Sequence, residues 1–204
     1  MIKETTEIIL SFMKKNIHIE DDMIDVYRYG IEITLSSVLN FTLIFVISFI
    51  MNDFLLAVFF LLSFIPLRSF CGGYHASTYF KCNLIFSLSF TLCCCISKLL
   101  NLYFSNEIII FCGVIIATVS VSSISILAPV INPHKPIDTY QKKKHKIFSI
   151  IISFLISVIG IFLITFKLQY GFLMIVTLFT VAVMAKIEKT IQRRCSHNVK
   201  EEHC

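Results

Sequence analysis

The sequence predicts an all-α, polytopic membrane protein with about six transmembrane helices and an N-terminal amphipathic interfacial helix. Hydrophobic residues make up 56% of the 204 residues and charged residues only 15%, whereas soluble globular domains contain about 45–50% and about 25%. The 18 Lys and Arg and 13 Asp and Glu residues also cluster, which leaves long uncharged segments. This composition excludes a soluble enzyme, a disordered chain and a secreted disulfide scaffold.

Six apolar segments are candidate spans, because a helix needs about 20 apolar residues to cross about 30 Å of hydrocarbon. The second and third are the weakest candidates, since residues 54–67 form a short stretch and Lys98 interrupts the third. The alternative is fewer spans, with the second segment folding back as a re-entrant loop. We predict a single integral membrane domain over residues 1–204, with spans near 33–52, 54–70, 82–104, 108–132, 147–166 and 168–185.

The distribution of basic residues favours six spans with both termini in the cytoplasm. In that topology residues 1–32, 68–81, 133–146 and 186–204 are cytoplasmic, and they contain 16 of the 18 Lys and Arg residues. Only Lys98 and Lys167 then lie outside, in agreement with the positive-inside rule. A four-span topology would place basic clusters on the wrong side. We therefore expect a multi-pass protein of the cell membrane whose loop at 68–81 faces the cytoplasm.

Residues 2–15 have the pattern of an amphipathic helix rather than of a signal peptide. At about 100° per residue, Lys3 and Glu7 fall on one arc of a helical wheel, whereas Ile8 and Phe12 fall on the other. Such a helix is expected to lie on the inner leaflet. The alternative, which does not exclude the first, is that it packs against the cytoplasmic ends of the bundle.

A basic segment at residues 133–146 follows the fourth predicted span. A topogenic anchor that contacts anionic lipid headgroups is sufficient to explain its lysines. The alternative is a docking surface for an acidic peptide, in which case the substrate-binding residues are Lys135, Lys142, Lys143 and Lys144.

Chemically reactive residue types concentrate between the second and third spans, at residues 68–82. Two consecutive glycines at 72–73 predict a break in the helix, because glycine readily adopts positive φ. His75 precedes Cys82 by seven residues, and an imidazole near a thiol increases the fraction of nucleophilic thiolate. Two turns of continuous helix would separate their side chains by about 10 Å. A working pair therefore requires a bend, with the helix beginning near Tyr79.

The residue types in this segment leave alternatives open. Cys71, four residues before His75, is a rival nucleophile, although the glycines between them disfavour a continuous helix. A zinc site formed by Cys71, His75 and Cys82 lacks a fourth ligand and fits no finger spacing. Taken by themselves, His75 and Cys82 are better explained as an interfacial histidine and an apolar cysteine. The eight cysteines lie in spans or on the reducing cytoplasmic side, which argues against disulfides.

In this segment the chain resembles the accessory gene regulator protein B (AgrB) family, membrane cysteine endopeptidases that process quorum-sensing peptide precursors in Gram-positive bacteria. The family pattern is an Arg, then Gly-x-His, then a Cys seven residues after the His. It is matched with every spacing kept by Arg68, Gly73, His75 and Cys82. The Pro-His-Lys-Pro run at 133–136, the length and the six spans extend the resemblance over essentially the whole chain. The extra Cys71 within the motif is a departure from the pattern.

The resemblance implies that Cys82 is the nucleophile and His75 its general base, with Arg68 and Gly73 as supporting residues. The substrate would be an AgrD-like propeptide with an amphipathic leader, a signal segment containing a Cys, and a charged tail. Cys82 would release the tail, and the internal thiol would convert the acyl-enzyme into a cyclic thiolactone. The resemblance also favours a homodimer, and it implies no metal, other cofactor or nucleic acid. The alternative function is a six-span peptide exporter or transporter without covalent catalysis.

Overall fold

The computed structural model describes residues 2–17, 20–72, 78–130 and 138–201, which contain seven α-helices. A 3-10 turn, Asp21–Met23, precedes the second helix. The second to seventh helices are each long and apolar enough to cross a membrane. This confirms the predicted fold class of six candidate spans after an N-terminal helix. The α-helices are α1 (Ile2–Asn16), α2 (Ile24–Ile50), α3 (Phe54–Cys71), α4 (Tyr79–Tyr103), α5 (Asn106–Leu127), α6 (Thr139–Thr165) and α7 (Gln169–Glu201).

The central helix of the bundle is α7. It contacts α3, α4, α5 and α6. In its most apolar stretch of 18 residues 67% is buried, compared with 17% in the corresponding stretch of α2. Phe172, Leu173, Ile175 and Leu178 are almost completely enclosed. A helix that buries apolar side chains on most of its sides belongs in the interior of a bundle. The peripheral α2 packs against α1, α3 and α4.

Small polar side chains within the spans donate hydrogen bonds to backbone carbonyl oxygens of the preceding turn. The Ser63 hydroxyl donates to the Phe59 carbonyl at 2.9 Å, and the Thr177 hydroxyl donates to the Leu173 carbonyl at 2.8 Å. Lipid tails offer no hydrogen-bond partners, so these internal bonds allow the residues to lie inside apolar helices.

A cluster of polar side chains joins the connection between α2 and α3 to α4 and to the beginning of α7. The Asp53 carboxylate accepts a hydrogen bond from the Gln169 side-chain amide at 2.6 Å and another from the Tyr170 hydroxyl at 3.1 Å. The Lys98 ammonium donates to the Met51 carbonyl at 2.9 Å. Lys98 is therefore accommodated within the third candidate span because it stabilises the end of α2.

The N-terminal helix α1 is amphipathic and packs against α2. Its Leu10 is 2% exposed, whereas Ile8 and Phe12 are each 68% exposed. The Arg28 guanidinium on α2 lies 2.7 Å from the Glu7 carboxylate of α1. Packing against the bundle and exposure of apolar side chains for a lipid surface are therefore combined in one helix.

Helices α6 and α7 approach each other closely at Gly160 and Gly171. A methyl group at Gly171 would overlap the Gly160 carbonyl oxygen and would lie 2.7 Å from the Ile164 backbone nitrogen. Small residues allow helix backbones to come this close in membranes. Gly30 on α2 offers a contrast, because no atom lies within 4 Å of the position that its methyl group would occupy.

We predict that Gly171→Ala destabilises the protein, whereas Gly30→Ala does not. The added methyl group of Gly171→Ala meets backbone atoms that cannot rotate away, and overpacking of this kind costs about 1–3 kcal/mol. Gly30→Ala should instead raise the free energy of unfolding by about 0.5–1 kcal/mol, because alanine favours helix. Thermal unfolding of both variants in detergent micelles measures the difference. Equal melting temperatures would show that the α6–α7 contact is not tight.

Candidate active site

The break between α3 and α4 is formed by residues with distinct backbone conformations. Helix α3 ends at Cys71, and Gly72 adopts φ +73° and ψ −168°, a conformation that essentially only glycine tolerates. A side chain there would also collide with the Val130 backbone. The Val130 amide donates to the Cys71 carbonyl at 2.9 Å, which fixes the end of α3. The chain break predicted from the paired glycines is thus present at Gly72.

Helix α4 begins at Tyr79, in agreement with the bend predicted before Cys82. The cap residue Thr78 is extended, and its hydroxyl accepts a hydrogen bond from the Lys81 amide at 3.3 Å. The Cys82 amide donates to the Thr78 carbonyl at 3.1 Å. Cys82 therefore lies in the first turn of α4, and the seven-residue interval back to His75 is not one continuous helix.

Cys82 lines a cavity of about 330 Å³ enclosed by four helices. Most of the wall is apolar, although it also carries hydroxyl, amide and guanidinium groups. The volume is at the lower end of the range for small-ligand sites. The lining residues are Ser37, Asn40 and Phe41 of α2, Phe64, Ile65, Arg68 and Ser69 of α3, Cys82, Ile85 and Phe86 of α4, and Met184 of α7.

Arg68 shares this cavity with Cys82. Its guanidinium lies 5.8 Å from the centre of the Phe64 ring and 3.9 Å from the Met184 sulfur. It is close enough to the Cys82 sulfur and to the Glu188 carboxylate to interact electrostatically with both. The structure thus brings together two of the four motif residues, and it adds a carboxylate from α7.

The two cysteines of the motif occupy different environments. Cys71 is completely enclosed in the apolar core. Cys82 is partly exposed and lines the cavity. A thiol must be accessible to attack a peptide, and a cation beside it stabilises the thiolate. Of these two cysteines, Cys82 is therefore the one whose thiol is accessible from the cavity.

Other predicted site residues lie elsewhere or outside the described part of the chain. Gly73, His75 and Lys135 are outside the described residues. Exposed side chains on the first two turns of α6 belong to Lys142, Lys143 and Lys144. These lysines do not line the cavity, but they are at the same end of the bundle, because Phe70 of α3 stacks on Phe148 of α6 at 5.2 Å.

Sequence reasoning missed the cavity residues that come from α2 and α7. Asn40 lies within a 20-residue segment without charges, and Glu188 lies just beyond the last predicted span. A carboxamide inside an apolar span was the available signal for Asn40, since polar side chains in spans commonly have a functional partner. Met184 carried no signal, because an apolar residue in a span predicts only burial.

Comparisons with known proteins give one family match and two related proteins. Residues 6–187 match the sequence profile of the family described as Accessory gene regulator B. An AgrB-like protein of Clostridium perfringens strain SM101 is 27% identical over 148 residues, which cover 71% of this chain and 68% of the relative. A second AgrB-like protein, from C. perfringens strain 13, is 25% identical over the same shares of the two chains. No solved structure gives a significant match.

We predict that a small membrane-permeant alkylating agent modifies Cys82 much faster than Cys71. The first thiol lines an open cavity, whereas the second is fully buried, and the difference in rate should be roughly tenfold or more. Peptide mass spectrometry of the protein treated with iodoacetamide in its membrane measures both rates. In the matched variant Cys71→Ala, the rate at Cys82 should be unchanged. Faster modification of Cys71 would contradict the cavity geometry.

Proposed function

Because the chain belongs to the accessory gene regulator B family of quorum-sensing membrane proteins, we propose that it is a membrane cysteine endopeptidase that matures an AgrD-like propeptide. The observation that carries the proposal is the position of Cys82, which lies on the first turn of α4 and lines a cavity beside Arg68. The proposed activity is removal of the charged C-terminal tail, followed by closure of the remaining segment into a thiolactone ring.

In the first step His75 accepts the proton of the Cys82 thiol, and the resulting thiolate attacks the carbonyl carbon of the peptide bond that precedes the tail. The carbon–nitrogen bond breaks, and His75 protonates the departing amine, which leaves with the tail. The signal segment remains attached to Cys82 as a thioester. His75 is assigned by its match to the family motif and lies outside the described residues.

In the second step the internal cysteine of the peptide attacks the same carbonyl carbon. His75 accepts the proton of the attacking thiol, and the bond to the Cys82 sulfur breaks. The cyclic thiolactone leaves, and Cys82 is restored as a thiolate. Each step exchanges one acyl bond for another, so the reaction needs neither an oxidant nor a second substrate.

Arg68 is proposed to support this reaction as a cation that lines the same cavity as Cys82. A guanidinium stabilises an anionic thiolate, and the first turn of α4 adds the positive end of a helix dipole. Glu188 of α7 interacts electrostatically with the same guanidinium, and we propose that it helps to position Arg68. Gly73 is proposed to supply the turn between Gly72 and the histidine.

The proposed substrate reaches the site along the cytoplasmic membrane surface. The exposed apolar side chains of α1 suit a helix that lies on the inner leaflet. Electrostatic attraction to acidic groups of the propeptide is assigned to Lys135, Lys142, Lys143 and Lys144. In this topology both termini and the residues from 68 to 82 face the cytoplasm.

Co-expression with a candidate propeptide tests the endopeptidase directly. Cys82→Ala should reduce release of the tail by roughly 10³-fold or more, because it removes the nucleophile, and Cys71→Ala should retain cleavage. Mass spectrometry of the peptide and of an acyl adduct on Cys82 measures both outcomes. An exporter without covalent catalysis would leave the propeptide uncut and would make Cys82→Ala silent. Loss of cleavage only in Cys71→Ala would overturn the assignment of the nucleophile.

Orientation is tested by labelling with a membrane-impermeant maleimide. In a variant whose only cysteine is Cys82, intact cells should not be labelled, whereas inside-out vesicles should be. The matched control carries Ser105→Cys as its only cysteine, because Ser105 is exposed between α4 and α5 and should be labelled in intact cells. Labelling of Cys82 from outside would refute the cytoplasmic site.

A further inference from the structure

Asn40 lines the same cavity as Cys82, and its side-chain oxygen is buried without a hydrogen-bond partner. Among the residues that the structure describes, the buried side-chain nitrogen and oxygen atoms in this condition are Asn40 Oδ1 and Ser87 Oγ. A buried acceptor that makes no hydrogen bond destabilises the folded state. Such atoms are few in native proteins, and each requires an explanation. The Asn40 oxygen is therefore suited to a donor that enters the cavity.

The neighbouring hydroxyl groups in the cavity are already engaged. The Ser37 hydroxyl donates to the Ile33 carbonyl at 2.8 Å, and the Ser69 hydroxyl donates to the Ile65 carbonyl at 2.8 Å. Both bonds stay within the helix that carries the serine. Asn40 differs from these residues because it lines the largely apolar cavity, whereas its buried side-chain oxygen has no protein donor.

A hydrogen bond between α2 and α4 sets the depth of Asn40 relative to the thiol. The Ser36 hydroxyl donates to the Asn83 side-chain oxygen at 2.8 Å, so these two residues lie at the same level of the two helices. Asn40 is four residues beyond Ser36, and Cys82 is one residue before Asn83. At 1.5 Å per residue, Asn40 therefore lies about 7.5 Å deeper in the bundle than Cys82.

This depth corresponds to about two residues of an extended peptide, which spans about 3.3–3.6 Å per residue. The Asn40 side chain also tilts toward the start of α2, which is the direction of Cys82. A peptide whose carbonyl carbon lies at the Cys82 sulfur would therefore bring a nearby backbone N–H group within reach of Asn40. The apolar wall would surround the side chains of the same segment.

We propose that Asn40 is a substrate-binding residue whose side-chain amide turns toward the cavity when a peptide is bound, so that Oδ1 accepts a backbone N–H group about two residues from the carbonyl carbon that Cys82 attacks. This inference rests on the proposed endopeptidase activity and adds a specific contact to it. The contact would recognise the peptide backbone and would not depend on a particular side chain. It holds the acyl segment in the cavity while the thioester exists.

Ser87 provides the competing explanation and the matched control. Ser87 is four residues beyond Asn83, so it lies at the same level as Asn40, and its hydroxyl also lacks a partner. A direct hydrogen bond between these two side chains, which are unpaired in the structure, would repeat the Ser36–Asn83 bond one turn deeper. Asn40 would then serve to join α2 to α4, and removal of either partner would have the same effect.

The experiment compares Asn40→Leu and Ser87→Ala with the wild-type protein in membranes. The probe is the propeptide whose cleavage Cys82→Ala abolishes, and the readouts are KM and kcat for tail release. Leucine keeps the approximate size of the side chain and its compatibility with helix and membrane. The rate of Cys82 alkylation by iodoacetamide is measured in parallel, and it should stay within about twofold of wild type if the cavity is intact.

We expect Asn40→Leu to lower kcat/KM roughly tenfold, mainly through KM, because one hydrogen bond to bound substrate is lost. Ser87→Ala should remain close to wild type. The proposal is overturned if Asn40→Leu cleaves like wild type, or if Ser87→Ala loses as much activity as Asn40→Leu. Failure of the proposed function is distinguishable, because in that case wild type and Cys82→Ala would process the propeptide equally.

Discussion

Polar groups inside hydrocarbon must find their hydrogen-bond partners within the protein, and this requirement governs the whole bundle. Serine and threonine hydroxyls meet it locally by donating to carbonyl oxygens of the preceding turn, as Ser63 does. Ionisable side chains meet it through contacts between elements. Asp53 accepts from Gln169 and Tyr170, and Lys98 donates to the Met51 carbonyl. These bonds fix the connection between α2 and α3 to the beginning of α7.

The opposite end of the bundle satisfies the same requirement less completely. There α3 stops at Gly72, α4 restarts at Tyr79, and a cavity remains between α2, α3, α4 and α7. Arg68 is held by Phe64 and by charged or polarisable neighbours, whereas the Asn40 oxygen has no donor. A cavity with an accessible thiol and an unused acceptor is poorly explained by stability alone. It is suited to binding a flexible, partly apolar chain that brings its own hydrogen-bond donors.

The sequence predicted the features that local chemistry controls. Hydropathy identified six spans, since membrane thickness sets the length of an apolar helix. The paired glycines predicted the break at Gly72, and the spacing of His75 and Cys82 predicted a helix start near Tyr79. Asn40 and Met184 could not be placed at the site, because their position depends on the register between helices far apart in sequence. The hydrogen bond between Ser36 and Asn83 sets part of that register. The sequence around either residue does not indicate that the two are partners.

In the proposed reaction the acyl-enzyme has two competing fates. Attack by the internal thiol of the peptide exchanges one thioester for another at nearly balanced energy, whereas attack by water is irreversible. Ring closure therefore depends on how rarely water reaches the carbonyl carbon and how closely the thiol is held. Phe41, Phe64 and Phe86 form an apolar part of the cavity wall, which would disfavour water near the acyl segment. A backbone contact to Asn40 would limit the motion of the acyl segment, which raises the effective concentration of its thiol. The same cavity that makes the first step possible would thus decide the product of the second.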